Sequence, residues 1–283
     1  MGKKLTRIAI AYDFDGTLAP GNMQQHSFIP KLGIDSSEFW KEVKKIAKEN
    51  DMNEILAYMF LMLKKAREKE IEITKRAFTE HGKDMPMFPG VEEYFDKINA
   101  YAHSKGIKIE HYIISSGLRD ILNGTSIYKK FEMVFASSYM YDVNDVAEWP
   151  ALAIDYTNKT QFLFRINKGI NNSWDNEKIN KFMLEEDRPI PFERMIYLGD
   201  GETDIPAMKM IRHQGGKAIA VYNPETRTTA GKKSKKITQK LIEQKRANYV
   251  AAADYTEGSS LYKIIQLCID EIAAKSELLK YQK

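Results

Sequence analysis

Apolar residues recur at two different spacings along the chain, and these spacings predict alternating strands and helices. The β-branched run from Arg7 to Tyr12 predicts a first strand. After residue 86, short apolar runs alternate with stretches in which apolar residues return every three or four positions. Repeated strand–helix units favour a parallel sheet covered by helices on both faces. We therefore expect an α/β fold built on a doubly wound parallel sheet.

Most of the predicted strands and helices lie in this second part of the chain. In chain order they are helix 91–104, strand 108–114, helix 117–122, strand 132–136, helix 176–184, strand 195–198, helix 203–211, strand 218–222, a basic helix, strand 248–252 and helix 259–279.

Between the first strand and this region, the pattern is helical only. Three stretches with helical spacing, 37–49, 53–70 and 74–81, follow one another without a strand candidate. This predicts an inserted helical module over residues 20–86, and a core formed by residues 1–19 and 87–283.

The region from Ser137 to Ile166 differs from the rest of the core. Aromatic and β-branched residues alternate in 153–156 and in 161–166, on either side of Asn158-Lys159. This pattern predicts a small β-hairpin with its turn at those two residues.

Composition and charge exclude several classes of protein. The 283 residues carry 43 Lys+Arg against 39 Asp+Glu, and the net charge of +4 is too small to indicate nucleic-acid binding. The basic run from Lys232 to Arg246 looks like one solvated face of a helix. The longest apolar run, 55–63, is too short to cross a bilayer, and the single cysteine, Cys268, excludes a disulfide framework or a zinc cluster. We expect a cytoplasmic protein that binds neither nucleic acid nor membrane.

Polar residues follow three of the predicted strands directly. They form the segments Asp13-Phe14-Asp15-Gly16-Thr17, Ser115-Ser116-Gly117 and Gly199-Asp200-Gly201-Glu202-Thr203-Asp204. Ligands bind at the carboxyl ends of the strands in open parallel sheets, so these segments are the candidate site.

The acidic residues of these segments require a positive partner. Asp13 and Asp15 project to the same side of an extended chain, where their repulsion is on the order of 4 kcal/mol at a separation of about 4 Å. A hard cation such as Mg²⁺ would offset it, and Asp200 can complete its oxygen ligands. Gly16 lets the backbone approach an anion closely, and the hydroxyl of Thr17 can donate a hydrogen bond.

The second segment offers a phosphate contact. Ser115 ends an apolar run, and Gly117 stands at a predicted helix start, where free backbone N–H groups favour an anion. A serine in this position is also a common helix N-cap.

Together these segments resemble the motifs of the haloacid dehalogenase superfamily, in its phosphatase branch, over nearly the whole chain. Asp13 to Thr17 is similar to its first motif, Ser115 to its second, and Gly199-Asp200 with Asp204 to its fourth. The resemblance implies a Rossmann-type core and a helical cap over residues 20–86. It also implies that Asp13 is a nucleophile forming an aspartyl phosphate, and that Asp15 is the acid and then the base. Mg²⁺ would be held by the Asp13 and Asp200 side chains and the Asp15 backbone carbonyl.

The third motif of the family is a lysine that neutralises the phosphate, near a helix downstream of the hairpin. Lys168 fits best, because it follows the apolar run 162–166 and precedes Gly169, whereas Lys159 falls in the predicted turn. Asp204 would orient this lysine.

The chain departs from the phosphoserine phosphatase pattern in two places, although the overall resemblance is phosphoserine-phosphatase-like. No carboxylate follows the first motif closely, and Ser116 replaces a glycine, which adds a polar group that can contact phosphate or substrate.

We therefore expect a Mg²⁺-dependent phosphohydrolase of a small phosphorylated metabolite. A phosphotransferase that uses the same intermediate, or a noncatalytic protein that binds a phosphate ligand, are the alternatives. The sequence leaves open the substrate, the oligomeric state and the roles of the 137–166 and 232–246 segments.

Overall fold

Seven strands form one sheet within residues 5–281, the part of the chain that the computed structural model describes, and the central strands consist almost entirely of buried residues. The strands are β1 (Thr6–Tyr12), β2 (Ile107–Leu118), β3 (Met133–Tyr141), β4 (Ala147–Leu152), β5 (Met195–Gly199), β6 (Lys217–Tyr222) and β7 (Tyr249–Ala252). They lie in the order β4-β3-β2-β1-β5-β6-β7. β4 runs antiparallel to β3, and all other neighbours are parallel. The doubly wound α/β fold predicted from the sequence is confirmed.

Helices connect the strands and cover both faces of the sheet. They are α1 (Phe28–Lys31), α2 (Ser36–Glu49), α3 (Glu54–Glu68), α4 (Lys75–Glu80), α5 (Val91–Ser104), α6 (Arg119–Asn123), α7 (Lys159–Lys168), α8 (Asn176–Asn180), α9 (Ile205–His213), α10 (Thr229–Glu243) and α11 (Ser260–Leu278). Short 3₁₀ turns lie at Met23–Gln25, Tyr128–Lys130, Phe192–Arg194, Glu202–Asp204 and Leu279–Tyr281.

The first strand occupies the centre of the sheet because both of its faces are apolar. Ile8, Ile10 and Tyr12 pack into one core cluster, while Ala9 and Ala11 pack into the other. Successive side chains of a strand point to opposite faces, so a strand that is apolar throughout must be covered on both sides.

The sheet changes direction beside β1. The chain passes from β1 to β2 and β3 on one side, and continues with β5, β6 and β7 on the other. The carboxyl ends of β1 and β5 therefore border the crevice in which open α/β sheets bind ligands.

The predicted inserted module contains α1 to α4, and hydrogen bonds tie it to the hairpin of β3 and β4. Lys75 N donates to Asp145 O (2.9 Å), and Ala147 N donates to Ile73 O (3.0 Å). The Tyr139 hydroxyl donates to Met59 O at 2.7 Å. The hairpin thus supports the helices that precede it in the sequence.

The predicted hairpin over 153–166 is wrong in position. The hairpin is formed by β3 and β4, and residues 159–168 form helix α7 instead. Phe162, Leu163 and Ile166 are all buried, at helical spacing. A short apolar run fits either period, and tertiary packing selects the helix here.

Two smaller boundaries also differ from the prediction. Residues 115–118 continue β2 through a register shift, so α6 begins at Arg119 rather than at Gly117. Helix α8 ends at Asn180, short of the predicted residue 184. Within residues 5–281, no helix has the length and apolarity needed to cross a membrane.

Candidate active site

The loop after β1 is fixed to the neighbouring strand at its first residue. Asp13 N donates a hydrogen bond to Leu198 O of β5 (2.9 Å), so pairing with β5 extends past the end of β1. Asp13 is 5% exposed, and Asp200 follows directly after β5. The sheet therefore brings the segments Asp13–Thr17 and Gly199–Asp204 side by side, as their positions at strand ends predicted.

Gly16 allows this close approach. Its φ of +75° lies in the left-handed region, and a Cβ atom there would stand 2.2 Å from Asp200 Oδ2. Only glycine satisfies both the backbone and the space. The group that approaches Gly16 is thus the carboxylate of Asp200.

Lys159, the first residue of α7, lies between two carboxylates. Its Nζ is 3.0 Å from Asp13 Oδ1 and 2.8 Å from Asp204 Oδ1, and all three side chains are buried. The Tyr197 hydroxyl also donates to Asp204 Oδ1, at 2.6 Å. A buried ammonium with two carboxylates and a phenol is a fully paired network, which holds Asp13 in one orientation.

The electrostatics of this cluster are dominated by burial and by like charges. Burial raises the pKa of Asp13 above its ordinary value, and Asp204 raises it further, although Lys159 opposes both effects. Burial and neighbouring carboxylates raise the pKa of Asp15 and of Asp200 as well. For Lys159, burial lowers the pKa, but Asp13 and Asp204 outweigh it and the pKa is raised. One lysine does not balance these acids, so the site favours a further cation.

Oxygen atoms suited to a hard cation are present in this cluster. Carboxylate oxygens of Asp13, Asp200 and Asp204 lie within 4.8 Å of one another. Because Asp204 already accepts from Lys159 and Tyr197, Asp13 and Asp200 are the better ligands. An all-oxygen donor set of this kind fits Mg²⁺.

Asp15 faces the start of the inserted module. Its Oδ1 accepts a hydrogen bond from Met23 N at 2.9 Å, and the residue lines the same cavity as Asp13. Thr17 is fully buried, and its Oγ1 has no hydrogen-bond partner among residues 5–281. Its backbone carbonyl accepts from the Tyr255 hydroxyl (2.9 Å), which holds the loop from below.

The segment Ser115–Gly117 lies at the site, but no helix begins there. Ser115 Oγ accepts from Gly117 N at 3.0 Å, which leaves the serine hydroxyl proton free to donate. Gly117 packs against Met23, whose Cε would lie 2.1 Å from a Cβ at Gly117. Ser116 lines the cavity, and its buried Oγ is unpartnered among the described residues. The expected helix start at Gly117 is wrong, because α6 begins two residues later and has only five residues.

Lys168 does not reach this cluster, so its prediction as the site lysine is corrected. It ends α7, where Nζ donates to Ile179 O (2.6 Å) and Lys181 O (2.7 Å). Lys159 opens the same helix, roughly 13 Å away along its axis. The sequence did contain a signal for Lys159, because it precedes Phe162 and Ile166 by three and seven positions, on the buried face of the helix.

A cavity of about 720 Å³ opens above these residues. Its floor includes Asp13, Lys159 and Asp200, and its walls include Trp40 and Tyr58 from the inserted module. The Tyr58 hydroxyl donates to Ser116 O at 2.7 Å, so the module contacts the second segment directly.

Comparison with known proteins shows a match over most of the chain. A family profile described as haloacid dehalogenase-like hydrolase matches residues 10–209. A Borreliella burgdorferi protein described as uncharacterized is 30% identical over 298 residues, covering 95% of this chain and 99% of its own.

Several solved structures share the fold at low sequence identity. A phosphoserine phosphatase studied as a phospho-aspartyl intermediate analogue has a TM-score of 0.53 at 16% identity, over 93% of this chain and 99% of its own. A probable phosphoserine phosphatase from Vibrio cholerae has a TM-score of 0.56 at 10% identity, over 95% of this chain and 67% of its own. A hydrolase from Salmonella enterica subsp. enterica serovar Typhi has a TM-score of 0.51 at 19% identity, over 77% of this chain and 63% of its own.

Proposed function

The chain belongs to the haloacid dehalogenase-like hydrolase family, and on that premise we propose that it is a Mg²⁺-dependent phosphohydrolase of a small phosphorylated metabolite. One feature supports this proposal most directly. Lys159 pairs with Asp13 and Asp204 at the floor of the cavity, with Asp200 beside them. A carboxylate held by a buried ammonium, next to oxygen ligands for a cation, suits nucleophilic attack on a dianionic phosphate.

In the first step, a carboxylate oxygen of Asp13 attacks the phosphorus atom, and the bond from phosphorus to the leaving oxygen breaks. Asp15 donates a proton to that oxygen, so the organic part leaves as a neutral alcohol. Lys159 keeps Asp13 oriented, and its charge offsets the negative charge that builds up on the phosphoryl oxygens. The hydroxyl of Ser115 donates to one of these oxygens.

In the second step, Asp15 takes a proton from water and the oxygen of that water attacks phosphorus. The bond to Asp13 breaks, which releases inorganic phosphate and restores the carboxylate. Two steps with an enzyme nucleophile divide a reaction that is among the slowest known without catalysis.

Mg²⁺ would be held by the side chains of Asp13 and Asp200 and by the backbone carbonyl of Asp15. When bound there, it supplies positive charge to the phosphoryl oxygens and relieves the repulsion among the carboxylates. Asp204 stays with Lys159 and Tyr197 as a positioning residue.

The inserted module of residues 20–86 would act as the cap that selects the substrate, over a core of residues 1–19 and 87–283. Besides polar residues such as Lys44 and Glu54, its side of the cavity carries the apolar surfaces of Trp40, Ile55 and Tyr58. Such a lining excludes water and binds the organic part of the substrate.

The direct test is hydrolysis of an aryl phosphate by the purified protein, with Mg²⁺ and with EDTA. We expect turnover that EDTA abolishes and Mg²⁺ restores. Asp13→Asn should remove turnover while leaving the folded state intact by circular dichroism. Asp187→Asn, an exposed aspartate outside the cavity, is the matched control and should keep full activity.

Activity that survives Asp13→Asn would refute the covalent route. Added alcohols should leave the yield of inorganic phosphate unchanged, since formation of new phosphate esters would identify a phosphotransferase instead.

A further inference from the structure

The positive charge of the chain is concentrated in one segment beside the cavity. Residues 227–246 hold eight lysines and arginines against one glutamate, a net charge of +7. The whole chain has a net charge of +4, so the remaining residues together carry −3. This segment includes helix α10, and it gives that side of the molecule a field that attracts anions.

One face of α10 is turned toward the cavity. Ala230, Lys233, Ser234 and Ile237 all line it, at the spacing of three, four and seven residues that marks one side of a helix. Other lysines of α10, including Lys236, lie outside the cavity wall. The basic segment is therefore more than a solvated face, because one of its lysines borders the candidate active site.

The position of this face is fixed by β6. Asn223 follows β6, and its backbone N donates to Ser234 Oγ at 3.1 Å. β6 lies two strands away from β1, which corresponds to roughly 10 Å across the sheet. Lys233 is thus set apart from Asp13, at a different part of the same cavity wall.

The lysines that line the cavity differ in burial and in ion pairing. Lys159 is buried and paired with two aspartates, whereas Lys233 and Lys44 of α2 are exposed and form no ion pair with a carboxylate of residues 5–281. The remaining acids of the wall are Glu54 and Glu202, and Glu54 is approached by the Tyr156 hydroxyl at 3.4 Å. Lys233 is therefore available to a ligand and lies within the basic segment of residues 227–246.

We infer that Lys233 is a specificity-determining residue that binds a second anionic group of the substrate. This rests on the proposed phosphohydrolase function and narrows its substrate to small phosphomonoesters with a carboxylate or a second phosphate distant from the scissile one. Both groups accept charge-assisted hydrogen bonds from an ammonium, and an ester with two anionic groups gains most from the field of α10.

Three alkyl phosphates of equal chain length separate the two sources of the second charge. Butyl phosphate has none, 4-phosphooxybutanoate has a carboxylate, and butane-1,4-diyl bisphosphate has a second phosphate. Release of inorganic phosphate gives kcat and KM for each ester with the wild-type protein, with Lys233→Gln, and with Lys236→Gln as the matched control from the same helix.

We expect kcat/KM to be about tenfold higher for at least one doubly anionic ester than for butyl phosphate. Lys233→Gln should remove most of this preference through KM, and should change butyl phosphate by less than about twofold. Lys236→Gln should preserve the preference.

Other results overturn the inference. Equal kcat/KM for all three esters, or an equal loss for all three in Lys233→Gln, would mean that Lys233 only adds to general attraction of phosphate. Equal losses in both variants would assign the effect to the charge of the helix as a whole. Absence of turnover with every ester, including the aryl phosphate, would instead refute the proposed function on which the inference rests.

Discussion

Lys159 joins three separate parts of the chain through one ammonium group. It contacts Asp13 after β1 and Asp204 before α9, and it opens α7 itself. Its side chain is 1% exposed, so water screens its charge little and the ammonium interacts strongly with the neighbouring carboxylates. A buried charge of this kind is stable only while both partners remain, which links the fold of the site to its chemistry.

We predict that Lys159→Met and Lys168→Met have opposite consequences. Lys159→Met leaves Asp13 and Asp204 buried without their cation, which should cost about 3–5 kcal/mol of stability and lower turnover by about 100-fold or more. Lys168→Met removes only hydrogen bonds to two carbonyl groups, so turnover should stay close to the wild-type value. Steady-state kinetics and urea unfolding measure both effects.

Lys159→Arg keeps the charge and serves as a folded reference if the methionine variant unfolds. A comparable loss of turnover in Lys168→Met would contradict the assignment of the site lysine.

Two glycines with the same backbone angle separate strain from site geometry. Gly16 and Gly106 both have φ of +75°, but a Cβ atom meets Asp200 only at Gly16 and has free space at Gly106. Gly16→Ala and Gly106→Ala should each lose about 1–2 kcal/mol of stability from the left-handed backbone. Only Gly16→Ala should also lower turnover, by about 100-fold, because it displaces a site carboxylate. Equal activity in the two variants would show that the position of Asp200 is not critical.

At the level of whole elements, the β3–β4 hairpin decides how the inserted module is held. The module is fixed at its two chain connections and, in addition, by hydrogen bonds to residues 139 and 145–147 of the hairpin. The buried hydroxyl of Tyr139 donates a hydrogen bond to a backbone carbonyl in the middle of α3.

Removing that hydroxyl tests the support. Tyr139→Phe should leave Met59 O without this donor and cost about 1–2 kcal/mol of unfolding free energy. Tyr249→Phe, at a partly exposed position of β7, should change it by less than about 0.5 kcal/mol. Hydrogen exchange should locate the effect in α3, and uniform loss of protection across the molecule would argue against a local role for the hairpin.

The elements that could be predicted from the sequence are those with strong periodicity or caps. Helix α2 begins after Asp35, whose side chain accepts from the N–H groups of Ser37 and Glu38, and such a cap is visible in the sequence. β4 could not be predicted, because it is an edge strand with exposed Trp149 and with Pro150 inside it. The error at α7 had the larger consequence, since it placed Lys159 in a turn and thereby favoured the wrong lysine.

Some site residues could likewise be predicted from the sequence, and one was missed. Asp13 and Asp200 could be predicted as neighbours because they follow strands whose ends meet at one edge of the sheet. Lys159 was missed, because its helical spacing to Phe162 and Ile166 only becomes decisive once the segment after the hairpin packs as a helix against β2 and α9. The family assignment survived this error, since it depended on the acidic motifs rather than on the lysine.

Across the whole molecule, one buried histidine connects the sheet to α5. His111 of β2 contacts the Tyr12 hydroxyl through Nδ1 (3.0 Å) and Asn99 Oδ1 through Nε2 (3.1 Å). Because an amide oxygen only accepts, Nε2 carries a proton, and Nδ1 can accept from the Tyr12 hydroxyl when the ring is neutral. Burial lowers the pKa of His111 to about 3.

This histidine should make the global stability depend on pH. An unfolded histidine titrates near pH 6.5, so between about pH 6.5 and pH 3 the unfolded state binds the extra proton. The stability is therefore full above pH 6.5 and falls as the pH drops, by on the order of 3 kcal/mol at pH 4. Urea unfolding at pH 7 and pH 4 should show this loss reduced in His111→Gln and retained in His103→Gln, whose side chain is exposed. An unchanged difference in His111→Gln would assign the pH dependence to other groups.

The hydrogen bond from Tyr255 to Thr17 spans 238 residues of sequence, and this separation matters for folding during protein synthesis. During synthesis the loop that carries Asp13 leaves the ribosome early, while β5, Lys159 and Tyr255 are made much later. The central strand must wait for a partner on one side, and loop closure over such distances is slow. A chain in which those segments are still missing therefore exposes its first acidic motif without the groups that orient it, and it gains chemical competence only after Lys159, β5 and Tyr255 have been made.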